Sequence, residues 1–346
     1  MQLKNKINLS IIKKKELRLD KFIEYCLYLK DSYYSNKQPI GSRKDFITSP
    51  EISQMFGEII GLFILDKWTK NFNSKFNLIE LGPGKGTLFS DLYRSWKINP
   101  NFIKKADITF IEKNKILKEI QKQIIKNLYL KNIKWKNNLS INSRLPVIFY
   151  SNEFFDCFPI RHFTYKNTWK ETFVSYNSFE QRYFFKQKKV LSKKMLNKLV
   201  NYKKYKIFEM SSQRNFYFDS ICKIINKNSG FCLLIDYGYI GKIKHFTLQT
   251  VKNHNFTNIF DNIGKQDISS HVNFDELIEI AKKNNLKIDE FSSQREFLIK
   301  YGILERMKYL ISNNPDMKKD LSRETQRLIS NKQMGKLFKC LVVSNK

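Results

Sequence analysis

One run of residues limits what this chain can fold into more than any other. Phe76-Asn77-Leu78-Ile79-Glu80-Leu81 is a short apolar strand that leads straight into Gly82-Pro83-Gly84-Lys85-Gly86, and Thr87 to Trp96 then follows with helical periodicity. A strand, a glycine turn and a helix in that order form half of a parallel crossover unit. The pattern continues. Ile108 to Glu112 reads as a second strand and Ile116 to Leu128 as a second helix. Pro146 to Asn152 and Gly230 to Gly238 read as two more strands, the latter preceded by a helix. These strands are apolar runs rather than alternating ones, which predicts a parallel sheet covered on both faces. Residues 162–165, 169–176 and 182–185 read instead as antiparallel strands, residues 295–331 as mostly helical, and residues 337–343 as a closing strand.

The turn also indicates a class of ligand. Bare glycine backbone at a helix N-terminus lets a ligand come close. A dinucleotide fingerprint places its third glycine one position later than here, at 87, which is Thr. The shorter spacing, with Glu80 two residues before Gly82, suits a nucleoside without a pyrophosphate. Strand, acidic residue and turn look like the S-adenosylmethionine motif of class I methyltransferases. Glu112, at the end of the next strand, stands where a carboxylate accepts both ribose hydroxyls. Asn152-Glu153-Phe154-Phe155-Asp156 follows the strand after that, where the ligand crevice of such a sheet opens, and Glu209 supplies a third acidic group. Upstream, residues 16–36 read as a helix, Pro39-Ile40-Gly41 as part of a turn-rich stretch, and Ser49 as the N-cap of a helix that continues to Leu65 or Trp68.

The 346 residues carry 63 Lys+Arg and 32 Asp+Glu, a formal charge of +31. Lysine makes up 52 of the basic residues and arginine only 11, beside 33 Asn and two Ala. AT-rich codons favour that mixture, so the lysine excess is read as compositional and spread over solvated faces. Arginine, the residue that grips phosphate and base edges with two donors, is scarce. No dedicated nucleic-acid function is expected. The five cysteines have no CxxC spacing and the four histidines are scattered, so neither a disulfide framework nor a metal site is expected. The longest apolar run, Ile59 to Leu65, falls far short of the roughly 20 residues of a membrane span. No secretory signal is read before Lys13-Lys14-Lys15, and a cytoplasmic location is the expectation.

Longer strings carry a family resemblance. They are Phe46-Ile47-Thr48-Ser49-Pro50-Glu51-Ile52-Ser53-Gln54-Met55-Phe56-Gly57-Glu58, then Glu80 to Leu88, then Asn152 to Asp156 with Pro159-Ile160-Arg161. Asp236-Tyr237-Gly238, Thr247-Leu248-Gln249, residues 267–272, Gly302-Ile303 and Met334-Gly335 extend the likeness over nearly the whole chain. The sequence resembles the MidA-like family, which includes a mitochondrial complex I assembly factor that methylates protein arginine. It departs from the family at Lys44, Lys85, residues 263–267 and Asn273.

The resemblance implies a Rossmann-like class I methyltransferase sheet with an N-terminal helical region and antiparallel and helical insertions. Residues 1–70 would form a helical cap. Residues 71–346 would form the methyltransferase domain, with insertions at about 160–206 and 242–332. The donor would be S-adenosyl-L-methionine, held by Glu51, Ser53, Glu80, Gly82, Gly84, Gly86, Glu112 and Asn152. Glu153, Asp156 and Glu209, in that order, are the candidates for polarising an arginine guanidinium. The implied reaction is symmetric dimethylation of an arginine on the 49 kDa-like subunit of complex I. A non-catalytic cofactor-binding chaperone and an RNA methyltransferase remain the alternatives at this point. The sequence gives no sign of oligomeric state.

Overall fold

The computed structural model describes Ile7, Ile11 and residues 15–30, 32–34, 48–130, 133–252 and 255–345. The expected turn at residues 39–41 and the first residues of the family string, Phe46-Ile47, lie outside the described residues, as does Lys44.

The central sheet is built from seven principal strands: β1 (Phe76–Leu81), β2 (Ala106–Ile111), β3 (Lys134–Lys136), β4 (Val147–Asn152), β5 (Gly230–Tyr239), β6 (Lys287–Ser293) and β7 (Phe338–Ser344). Their spatial order is β6-β7-β5-β4-β1-β2-β3, and the two-residue strand Val272–Asn273 joins the end of β5. β7 is antiparallel to both neighbours and the rest are parallel. β1 sits between β4 and β2, with Leu81 opposite both Ser151 and Ile111. The strand order reverses there, which opens a crevice beyond the carboxyl ends of β1 and β4.

Helices fill both faces, as the apolar strands require. The helix α2 (Gln54–Asn71), with α3 (Thr87–Trp96) and the C-terminal helices, covers one face. The helices α5 (Ser212–Asn228) and α6 (Phe274–Lys283) cover the other. Between β2 and β3 runs α4 (Lys115–Asn127). Helix α2 is apolar from Met55 to Leu65 except at Glu58, and eleven of its residues are buried, which is how a helix sandwiched between layers reads. Its Gly57 and Gly61 let α3 approach closely. A Cβ on Gly61 would stand 2.1 Å from Ser95 Oγ, and Trp96 Nε1 donates to the Gly61 carbonyl at 2.9 Å. Trp68, Trp96, Phe76 and Phe102 pack as an aromatic knot under the start of β1, each fully buried and contributing about 1.5–3 kcal/mol.

Three expectations change. The helix read at residues 16–36 is α1 (Leu19–Tyr28) only; before it, Leu17–Arg18 pairs antiparallel with Val174 and Phe173. Pairing with a distant strand overrides the local helical pattern. The helix read from Ser49 is broken: Ser49–Ile52 forms one turn, Ser53 is extended, and α2 starts at Gln54. Thr48, not Ser49, holds the N-cap position of the first turn. Finally, β6 falls inside the stretch read as the 242–332 insertion, although it pairs with β7 at the edge of the central sheet. Its sequence, Lys-Ile-Asp-Glu-Phe-Ser-Ser, is too polar to read as a core strand because an edge strand is only half covered. The region 1–70 divides between two cores. α1 packs with Ile160, Val174, Ile259 and Ile263, whereas α2 packs on the sheet.

Candidate functional site

The glycine turn fills the crevice floor. Gly82, Gly84 and Gly86 have φ of +61°, +58° and +90°, a region that costs other residues about 1–2 kcal/mol each. A Cβ on Gly82 would also lie 2.6 Å from the Phe154 ring, so the β1 turn and the β4 loop touch here. Gly86 is the N-cap of α3, leaving the amides of its first turn open to a ligand. Glu51 straps the turn from outside, accepting from Lys85 Nζ at 2.8 Å and Thr87 Oγ1 at 2.6 Å. Ser53 does not face the turn in the same way. Its hydroxyl caps α2, accepting from the Met55 amide at 3.4 Å. Glu80 is buried beneath, bonded by the Tyr150 hydroxyl at 2.9 Å, and burial pushes its carboxyl up to about 8.

Glu112 leaves the end of β2 beside the turn. One oxygen accepts from the Asn114 amide at 2.8 Å and the other from Gln121 Nε2 at 3.3 Å; burial raises its pKa above the ordinary value. Gln121 also donates to the Gly84 carbonyl at 2.7 Å and accepts from Trp135 Nε1 at 2.9 Å. One fully buried amide therefore fixes the carboxylate relative to the turn. Sequence reasoning missed Gln121, though the signal was present: it sits between Leu117 and Ile125 on the buried stripe of α4, where a polar side chain needs a reason.

The third wall is the loop after β4. Glu153 has φ +50°, a strained conformation for a residue with a side chain. It is held there from several sides. Its carboxyl accepts from the Ser49 amide at 3.0 Å and Asn152 Nδ2 at 2.9 Å. Asp236, fully buried in β5, accepts from three successive amides of the loop, Phe154 at 3.2 Å, Phe155 at 2.8 Å and Asp156 at 3.2 Å. Arg214 Nε donates to the Phe155 carbonyl at 2.7 Å, and its Nη2 to Ser270 Oγ at 3.1 Å. The Tyr237 hydroxyl donates to Asp156. Asp236 and Tyr237 entered the sequence reading only as part of a strand and of the family likeness, with no role at the site, and Arg214 not at all, yet a lone acid inside the apolar run Gly230–Tyr239 was visible.

The loop gathers negative charge. Burial, reinforced by Asp156 and Asp267, pushes Glu153 up to about 8. Burial also raises Asp156 and Asp236, each against the pull of Arg214. Ser151 Oγ, Asn152 Oδ1 and Asp156 Oδ1 are buried with no hydrogen-bond partner. Unmade bonds of this kind cost about 1–3 kcal/mol apiece, and three at one crevice mark a place where a ligand completes them. Glu209 is not brought into this group. Thr247 occupies both its oxygens, through its amide at 2.7 Å and its hydroxyl. Thr247 Oγ1 in turn accepts from the His271 amide at 3.1 Å, so Glu209 anchors the loop at residues 245–271. Among the described residues no group of His, Cys, Asp and Glu is placed to hold a metal ion, and no helix is long and apolar enough to cross a membrane.

The residues fit a methyl donor with an adenosine moiety: positive-φ glycines at a helix N-terminus, and a buried acid at the end of the adjacent strand. Comparison with known proteins agrees with this geometry. The chain is 28% identical over 339 residues to the zebrafish (Danio rerio) mitochondrial protein arginine methyltransferase NDUFAF7, covering 90% of this chain and 79% of that one. It is 28% identical over 334 residues to the human (Homo sapiens) protein of the same name, covering 88% and 75%. The crystal structure of a COG1565 superfamily member from Burkholderia thailandensis, bound to S-adenosylhomocysteine, superposes with a TM-score of 0.87 at 21% identity, over 99% of this chain and 92% of that one. Residues 59–292 match the Methyltransf_28 family model. The chain belongs to that family of S-adenosyl-L-methionine-dependent methyltransferases, and S-adenosyl-L-methionine is its cofactor.

Proposed function

We propose that this methyltransferase modifies arginine on a protein, by symmetric dimethylation, and that its substrate is the 49 kDa-like subunit of respiratory complex I before assembly. The observation that carries the reading is the acidic loop: the carboxyls of Glu153 and Asp156 beside the glycine turn, with Asp236 and Asp267 acting on them. Buried carboxyls that raise one another are short of a cation, and a guanidinium supplies one while a phosphate is repelled. The names of the relatives support the arginine, and the family resemblance supports the subunit.

S-adenosyl-L-methionine, when bound, supplies an electrophilic methyl on a sulfonium. The residues of this chain do the rest. Gly82, Gly84, Gly86 and Glu112 hold the adenosyl part in place, and Glu51 braces the turn. Glu153, with Asp156, accepts hydrogen bonds from one terminal guanidinium nitrogen and draws positive charge towards it. Electron density then remains on the other terminal nitrogen, which faces the methyl. The hydrogen bonds from the Ser49 amide and Asn152 to Glu153, and the three amides on Asp236, keep these carboxylates in position, so little is spent on reorganisation.

The test is methyl incorporation from labelled donor, with this chain and the subunit from the same organism expressed together and peptides read by mass spectrometry. Dimethylarginine on that subunit is the expected result. Label in another protein refutes the named substrate, label in RNA refutes the substrate class, and donor binding without any transfer points to a chaperone.

A further inference from the structure

The charge of this protein is not evenly spread. Residues 182–206 contain nine Lys, one Arg and no Asp or Glu, about a third of the net +31. They form the strand Arg182–Lys189, the helix Lys193–Leu199 and the 3-10 turn Val200–Tyr205. Glu16 pairs with Lys186 and Lys188. Lys189, Lys193, Lys194, Lys203, Lys204 and Lys206 are exposed, and among the described residues no carboxylate lies within 4.0 Å of them. Lysines on an edge strand ordinarily block pairing with another sheet. That accounts for residues 186–189, since among the described residues this strand pairs only with Trp169–Asn177, but not for the lysines of the helix and turn.

One of those lysines, Lys203, lines a cavity of about 370 Å³ together with Trp169, Leu196, Asn197 and Val200. Trp169 is 3% exposed, and its indole N–H is buried with no partner. A buried donor without an acceptor is costly, so an acceptor from outside the chain is wanted here. The insert carries its own small core of Phe163, Trp169, Val190, Leu199, Phe208 and Met210. Both its roots hold the catalytic loop: Ile160 follows that loop, and Ser211 Oγ donates to the Pro159 carbonyl at 2.8 Å.

We propose that this insert is a docking surface for an acidic segment of the protein substrate. Carboxylates of the segment pair with the free lysines. One apolar side chain enters the cavity between Leu196 and Val200, and a backbone carbonyl accepts from Trp169 Nε1. A polypeptide fits better than a nucleic acid, because the lysines lack the two-donor fork of arginine and three of the five residues lining the cavity, Trp169, Leu196 and Val200, are apolar. The inference rests on the reading that the substrate is a protein, and its test is kept separable from that reading.

The probe is a fluorescein-labelled peptide of Glu, Asp and Leu, without arginine, titrated into the full chain. It is expected to bind, and to weaken steeply with salt. Lys193→Gln/Lys194→Gln/Lys203→Gln/Lys204→Gln should lose on the order of tenfold in affinity. Trp169→Phe, which keeps an aromatic side chain but loses the indole donor, should lose several-fold. Both variants should retain S-adenosylhomocysteine affinity, which controls for folding. Equal peptide affinity in the lysine variant overturns the proposal, as does tighter binding of oligothymidylate or of anionic phosphatidylserine vesicles. A second arm measures methylation of an arginine peptide with and without the acidic segment. If kcat/KM is the same for both, docking is refuted and the arginine reading stands. If the probe binds wild type and not the variant while neither peptide is methylated, docking stands and the arginine reading falls.

Discussion

Replacing Glu153 by Gln separates a catalytic carboxylate from a merely structural one, and the structure supplies the size of the effect. The ordinary carboxyl value is 4.5, and burial and neighbouring acids push Glu153 up to about 8 in the folded chain. Between those values the unfolded chain has lost a proton that the folded chain keeps, so this group makes stability fall as pH rises through that window. At pH 7 the difference is 2.5 units, at most about 3.5 kcal/mol at roughly 1.4 kcal/mol per unit. Glutamine does not titrate, so Glu153→Gln removes that slope. Its new NH2, where unpaired, costs about 1–3 kcal/mol, but this offset is the same at every pH. The readout is therefore the difference between wild-type and variant unfolding free energies, measured by urea titration from pH 5 to 9. It should grow in favour of the variant up to pH 8 and then level. The same variant should keep S-adenosylhomocysteine binding by calorimetry and lose methyl transfer. Wild-type kcat/KM should rise with pH through about 8 as the carboxyl ionises. A flat difference curve refutes the raised carboxyl, and transfer at the parental rate refutes its role.

Glu112→Ala should weaken S-adenosylhomocysteine binding on the order of tenfold or more, since hydrogen bonds to a charged group contribute about 1.5–3 kcal/mol each; unchanged calorimetric affinity removes the ribose role from this residue. Gln121→Leu should weaken it too, with Glu112 still present, because the link from Gly84 to Glu112 is cut. Gly82→Ala should cost far more than Gly86→Ala in both thermal stability and cofactor affinity. Both carry positive φ, but a Cβ at 82 collides with Phe154 at 2.6 Å, whereas at 86 the nearest atom is 3.7 Å away. Non-specific nucleic-acid binding should be weak, with a Kd of about 10⁻⁴–10⁻⁶ M at physiological salt; nanomolar, salt-resistant RNA binding contradicts the protein-substrate reading.

The apolar runs at 76–81, 147–152 and 230–239 and the glycines at 82, 84 and 86 were enough to predict a parallel sheet and a nucleoside site, because burial on both faces and positive φ leave direct marks on residue choice. The placement of Glu112 and Glu153 at the crevice was legible for a related reason: each directly follows a strand whose direction the crossover rule already fixes. The rest depended on contacts between segments far apart in the chain. Strand β6 hid because an edge strand needs only one apolar face. Glu209 stood as the third candidate behind Glu153 and Asp156 until the fold set Thr247 against both its oxygens. Asp236 reads locally as an acid misplaced in a core strand. Only the return of β5 beside β4 brings it under the amides of residues 154–156, where its charge has donors to meet. The lysines were read as spread over solvated faces, and those at 189–206 are indeed exposed. Composition records how many charges a chain carries, whereas the fold sets Lys203 at a cavity beside Trp169, whose indole N–H is buried without a partner.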